Sequence, residues 1–144
     1  MDKAILKTFD DSLQRCNANP AFLDRFYDTF LASSPRVRER FTHTDFVHQK
    51  RALRASLQAM LLAAEDKTTG PERYLKDIAK RHSRNELDVG SELYDLWLDS
   101  LLTSVKECDP AFRPEVGEAW EKVMMIGIHY LLSQYNRPPR RPRY

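Results

Sequence analysis

Four glycines in 144 residues are too few for the tight turns of a β-rich fold. They are also too scattered to build a phosphate-cradling loop or a dinucleotide-binding fingerprint. Cysteine is nearly as scarce. Cys16 and Cys108 form no metal-type spacing, and two such thiols stay free in a reducing compartment. No Cys/His cluster has structural-zinc spacing, and no serine- or cysteine-hydrolase motif is present. No apolar run is long enough to span a bilayer, and the N-terminus has no cleavable signal pattern. A cytoplasmic protein without a membrane span is therefore expected. Positive charge is missing where nucleic acid would need it. The net charge is +2, but Arg137, Arg140, Arg141 and Arg143 crowd the last eight residues, and the rest of the chain carries −2. The body offers no basic face, and no nucleic-acid partner is expected.

What is present describes one all-α domain. Hydrophobic residues make up 42% and charged residues 31%, the balance of a globular protein with a real core, and the length excludes two ordinary domains. The domain is expected over residues 1–136. Residues 137–144, rich in proline and arginine and without periodicity, are expected to be disordered.

Helices follow from periodicity and punctuation. Residues 2–16 repeat Ile5, Phe9 and Leu13, with Asp2 as cap. Asn19-Pro20 starts a second helix over 20–32, with Phe22, Phe26 and Phe30 on one stripe. Ser34-Pro35 starts a short third helix. Thr44 or Asp45 caps a fourth running to about 64, whose buried face is Leu53, Leu57, Met60, Leu61 and Ala64. Gly70-Pro71 begins a fifth that ends at His82. A sixth spans about 91–105, with Leu93, Leu96, Trp97, Leu101 and Val105 inward and Tyr94 alongside. Pro114 opens the last, which turns Val116, Trp120, Val123, Gly127 and Tyr130 to one side. Gly127 costs helix propensity, which points to close approach of a neighbouring helix.

A few polar side chains fall on these apolar stripes. His82 lies one turn beyond Ile78; such a histidine is commonly a half-buried residue bonded to a carbonyl, and alternatively an axial ligand to haem iron. Tyr27 is either core, with its hydroxyl at an edge, or a hydroxyl aimed into a cavity. Gln49, one turn before Leu53, needs a partner, which is water at a helix start or a ligand in a pocket. Phe41 and Phe46 either plug the end of the core or wedge a flat cofactor. His43, His48 and His129 have no evident partner.

The run from Phe26 to Phe41, FYDTFLASSPRVRERF, resembles the B–C region of bacterial haemoglobins, especially the globin domain of flavohaemoglobins. Gln49 to Leu53 is similar to the distal helix of that group. Ile78 to His82 with Leu87 and then Tyr94 is similar to its proximal segment, and Ala119 to Val123 to the middle of its last helix. The resemblance implies the globin fold, helices A, B, C, E, F, G and H around haem b. It implies His82 as the proximal iron ligand, its other ring nitrogen bonded to a main-chain carbonyl near Ile78. It implies Phe41 on the porphyrin face, Tyr27 and Gln49 as the distal polar pair, Leu53 as the apolar wall, and Leu87 and Tyr94 as further cofactor contacts. Flavohaemoglobins complete a proximal network with a glutamate late in the last helix; here that region reads Gln134-Tyr135-Asn136, without an acid. The implied function is reversible binding of oxygen, with nitric oxide or carbon monoxide as further diatomic ligands. The alternatives are nitric oxide dioxygenation with an external reductase, or a gas-sensor module.

Overall fold

A computed structural model describes residues 1–136; the expectation of a disordered tail at 137–144 lies outside them. Among the described residues there are seven helices and no strands: α1 (Lys3–Asn17), α2 (Phe22–Ser33), α3 (Pro35–Arg40), α4 (Phe46–Glu65), α5 (Gly70–His82), α6 (Ser91–Cys108) and α7 (Pro114–Ser133). No helix among them is long and apolar enough to cross a membrane.

The helix starts are set by side-chain acceptors. Asp2 accepts from the Ala4 amide at 2.7 Å and Ser34 from the Arg36 amide at 3.2 Å. Asp45, not Thr44, caps α4, accepting from the amides of Val47 and His48. α2 begins two residues later than the proline suggested. Residues 18–21 form a separate turn, closed by the Phe22 amide on the Asn19 carbonyl at 3.1 Å. α6 runs one turn past Val105, because its stop is Asp109, a buried carboxylate anchored by other helices.

α2 lies on α6, α4 on α5, and α7 touches α1, α4, α5 and α6. Trp120 is the pivot of the lower core. It is fully buried, packs edge-on to Phe9 with ring centroids 4.7 Å apart, and donates its indole N–H to Ser12 Oγ at 2.8 Å. Ser12 in turn donates to Asp109 Oδ2 at 2.6 Å, and Arg15 bonds both carboxylate oxygens at 2.6 and 2.9 Å. Burial alone would raise the Asp109 carboxyl, but Arg15, Ser12 and the Ala111 amide hold it below its usual value. This chain of bonds ties α1 to α6 and α7 through a charge that has no solvent contact.

The inward face of α6 is turned relative to the periodic reading. Tyr94 and Leu98 are buried, whereas Leu96 and Trp97 are half-buried. The small Ser100 and Ser104 also face inward, and Ser104 Oγ donates to the Phe22 carbonyl of α2 at 2.9 Å. Tyr130 sits at an edge of α7, its hydroxyl donating to Glu72 at 2.5 Å.

Two glycines mark close helix contacts. A Cβ on Gly127 would lie 1.8 Å from Met60 Sδ of α4, and one on Gly70 would lie 2.4 Å from the Ala63 carbonyl oxygen. The first neighbour is a flexible side chain, the second is backbone that cannot yield.

Gly70→Ala should therefore lower stability to urea by about 2 kcal/mol. Gly117→Ala, whose Cβ would meet only the tip of the Phe112 ring at 3.3 Å, should be neutral or stabilising; equal losses would show that the α4–α5 approach is not tight. The Asp109 network contributes stability above the carboxylate's ordinary value and loses it as pH falls through the lowered native one. Acid titration of unfolding should show a flatter slope below about pH 4 in Asp109→Asn.

Candidate functional site

One cavity opens between α2, α4, α5 and α6. Its interior holds about 250 Å³, and it widens to an open mouth. Its walls are mainly apolar. Phe26, Phe30 and Phe41 line it beside Met60, Trp97 and Leu131. Into this lining project one histidine, two tyrosines and one glutamine.

His82 is the last residue of α5, and its ring meets Tyr94 of α6 edge-on at 6.4 Å. Burial, with the Arg81 charge adding to it, pushes the His82 ring down to about 4. The imidazole is thus neutral at ordinary pH, the form that donates a lone pair to a metal. Its Nδ1 is buried and has no hydrogen-bond partner. The bond expected to a carbonyl near Ile78 is not made. The Tyr94 hydroxyl is also buried without a partner, and burial pushes it well above its usual value.

On the α2–α4 side, Gln49 lies beside Tyr27 in the cavity lining. Burial pushes the Tyr27 phenol up to about 12, against the opposing effect of the nearby Gln49 amide. Tyr27 is caged by Phe26 at 4.9 Å, Phe46 at 5.3 Å and Phe41 at 6.0 Å, all edge-on. Leu53 is buried one turn along α4 from Gln49. Lys50, the next residue after Gln49, faces away and pairs with Asp24 at 2.7 Å.

All seven nominated residues, Tyr27, Phe41, Gln49, Leu53, His82, Leu87 and Tyr94, line this single cavity. Leu87 does so from its mouth, 54% exposed. His43, His48 and His129 do not line it and are exposed. Sequence reasoning missed Arg40 and Arg81, which also line it, and Met60 and Trp97 at its base. Met60 was findable, being on the Leu53 stripe seven residues on, and Trp97 follows Tyr94 by one turn. Nothing in the sequence singles out Arg40.

A profile of the globin family matches residues 24–130. The chain belongs to the globin family. Its seven-helix architecture agrees with a solved structure from Pseudomonas aeruginosa PAO1, a protein described as structurally highly homologous to a human haemoglobin. That neighbour is 39% identical, with a TM-score of 0.86, and the match covers 92% of this chain and 98% of that one. No curated protein shows significant similarity to the chain.

Globins bind haem, and the pocket of this globin fits that group on its own terms. It offers flat aromatic walls, a neutral buried imidazole and two buried polar atoms, His82 Nδ1 and Tyr94 Oη, that the protein leaves without partners. Buried groups of that kind call for a ligand, a metal or water to satisfy them. Among the described residues no cluster of three or more acidic, histidine or cysteine side chains offers a rival metal site.

An unpaired buried hydroxyl costs about 1–3 kcal/mol. In the haem-free protein Tyr94→Phe should therefore raise stability by about 1 kcal/mol, read by thermal or urea unfolding. A loss of that size would show that the hydroxyl has a partner after all.

Proposed function

We propose that this globin holds haem b through His82 and binds oxygen reversibly, with nitric oxide and carbon monoxide as further ligands. The observation that carries the reading is the pairing, within one apolar cavity, of a neutral histidine with the neighbouring polar side chains of Tyr27 and Gln49. Haem would supply the iron to which a diatomic gas binds.

The chain's own residues do the rest. His82 needs no deprotonation step, because burial already keeps it neutral. Tyr27 keeps its proton across the physiological range and is a hydrogen-bond donor to a polarised gas. The rings of Phe26, Phe41 and Phe46 hold the phenol in place, so little freedom is lost when it donates. Leu53, Phe30 and Phe41 keep water out, which slows proton-assisted oxidation of the metal.

α7 contributes Leu131 to the described lining, and no acid. A carboxylate that would make the histidine a stronger electron donor is thus not in contact with the pocket. This favours reversible oxygen binding over peroxide-type chemistry. Nitric oxide dioxygenation would draw its electrons from a separate reductase.

Stopped-flow oxygen release tests the assignment. Tyr27→Phe should release oxygen about tenfold faster, the loss of one hydrogen bond to a polarised acceptor. Gln49→Leu should have the smaller effect. Equal or reversed effects would overturn the distal assignment.

A further inference from the structure

The loop that leaves His82 folds back onto the last turn of α5. The amides of Leu87 and Val89 donate to the carbonyls of Arg81 and His82, each at 3.0 Å, and the Asp88 amide donates to the Ser83 carbonyl at 2.8 Å. Asp88 sits at a φ of 54°, in the left-handed region that a side chain occupies only at a cost. A strained loop of this kind persists when contacts from outside hold it.

Two such contacts exist, one from the chain before the loop and one from the chain after it. Arg40, the last residue of α3, donates to the carbonyls of Leu87 and Asp88, the second at 2.9 Å. Tyr135, just beyond α7, donates its hydroxyl to the Asp88 carboxylate, and its carbonyl accepts the Arg84 amide at 2.9 Å. The Arg40 guanidinium is thus engaged by the Leu87 and Asp88 carbonyls. Leu87, Val89 and Arg40 all line the cavity. The clamped loop is therefore part of the cavity wall, and its other end is covalently joined to His82. The His82 ring has no hydrogen bond at Nδ1 to steady it. Its placement passes to its neighbours, namely Tyr94 on one side and this loop on the other.

We propose that Tyr135 and Arg40 are positioning residues that latch the loop after His82 against the pocket, and so set how long the cofactor stays bound. The proposal rests on the haem reading above. Tyr135→Phe removes one hydroxyl and keeps the ring. Asp88→Asn keeps a neutral acceptor for Tyr135 and tolerates the left-handed backbone, so its effect should fall between wild type and Tyr135→Phe. Tyr130→Phe is the control, since it removes a different tyrosine hydroxyl bonded to a carboxylate, that of α7 on Glu72, away from the loop.

The experiment has two readouts on the haem-loaded protein: transfer of haem to excess apomyoglobin, and amide hydrogen exchange over residues 83–89. Tyr135→Phe should lose haem about tenfold faster, with exchange at Leu87, Asp88 and Val89 faster by a similar factor, as expected for one lost charge-assisted hydrogen bond. Arg40→Gln should act in the same direction, and Tyr130→Phe should leave both readouts unchanged. The latch is overturned if either readout of Tyr135→Phe stays within about twofold of wild type, or if Tyr130→Phe speeds haem loss as much. A wild type that takes up no haem would instead sink the proposed function itself. A wild type that keeps its haem while Tyr135→Phe keeps it equally long sinks only the latch.

Discussion

The structure depends on a cavity that the chain does not fill. Protein interiors are packed to crystal-like density, and empty apolar space forfeits contacts on every wall. Here the space sits in the middle of the core, lined by rings from α2, α3–α4 and α6, and it leaves the His82 and Tyr94 polar atoms without partners. A flat apolar guest restores contacts along the aromatic walls, and the neutral His82 ring offers a lone pair to a metal at its centre. The binding energy of the cofactor is thus in part the completion of the fold.

The rest of the molecule keeps that space open. The α1–α6–α7 junction is fixed away from the cavity by the Trp120–Ser12–Asp109–Arg15 network, which fixes the end of α6. The α4–α5 contact is fixed by the backbone approach at Gly70, which places the start of the helix that ends in His82. At Gly127 the missing side chain makes room for Met60, a residue of the cavity base. A larger residue there would displace the thioether toward the cavity. The loop after His82 closes the mouth under the hold of Arg40 and Tyr135. Packing decisions far apart in sequence therefore converge on the position of one ring.

The helices were legible because their signals are local. Asp2, Ser34-Pro35 and Gly70-Pro71 mark starts that the structure uses, and the stripes of α2 and α4 face inward as their periodicity requires. Positions where two neighbours compete were harder. α6 touches both α2 and α7, so its inward face is wider and rotated from the Leu93–Leu96 stripe. The pocket was partly legible: Tyr27, Gln49 and His82 stood out as polar groups on apolar stripes, and the family resemblance gave them a shared place. Contacts between distant residues left no local trace. Asp109 lies 94 residues from Arg15, and Tyr135 lies 47 from Asp88. An aspartate before a proline reads as a helix stop, and nothing nearby says that it is also a buried anion. Likewise Nδ1 of His82 was expected to bond within its own helix, and the ring's environment in the folded core decided otherwise.

The central claim, that His82 holds iron in this cavity, is tested most directly by absorption spectra of the purified protein and of His82→Ala, ferric and then ferrous with carbon monoxide. The account predicts a strong haem band in the wild type that shifts on reduction and again with carbon monoxide, and its loss or marked change in His82→Ala. An unchanged haem spectrum in the variant would contradict the account, because the iron would then be held by another residue.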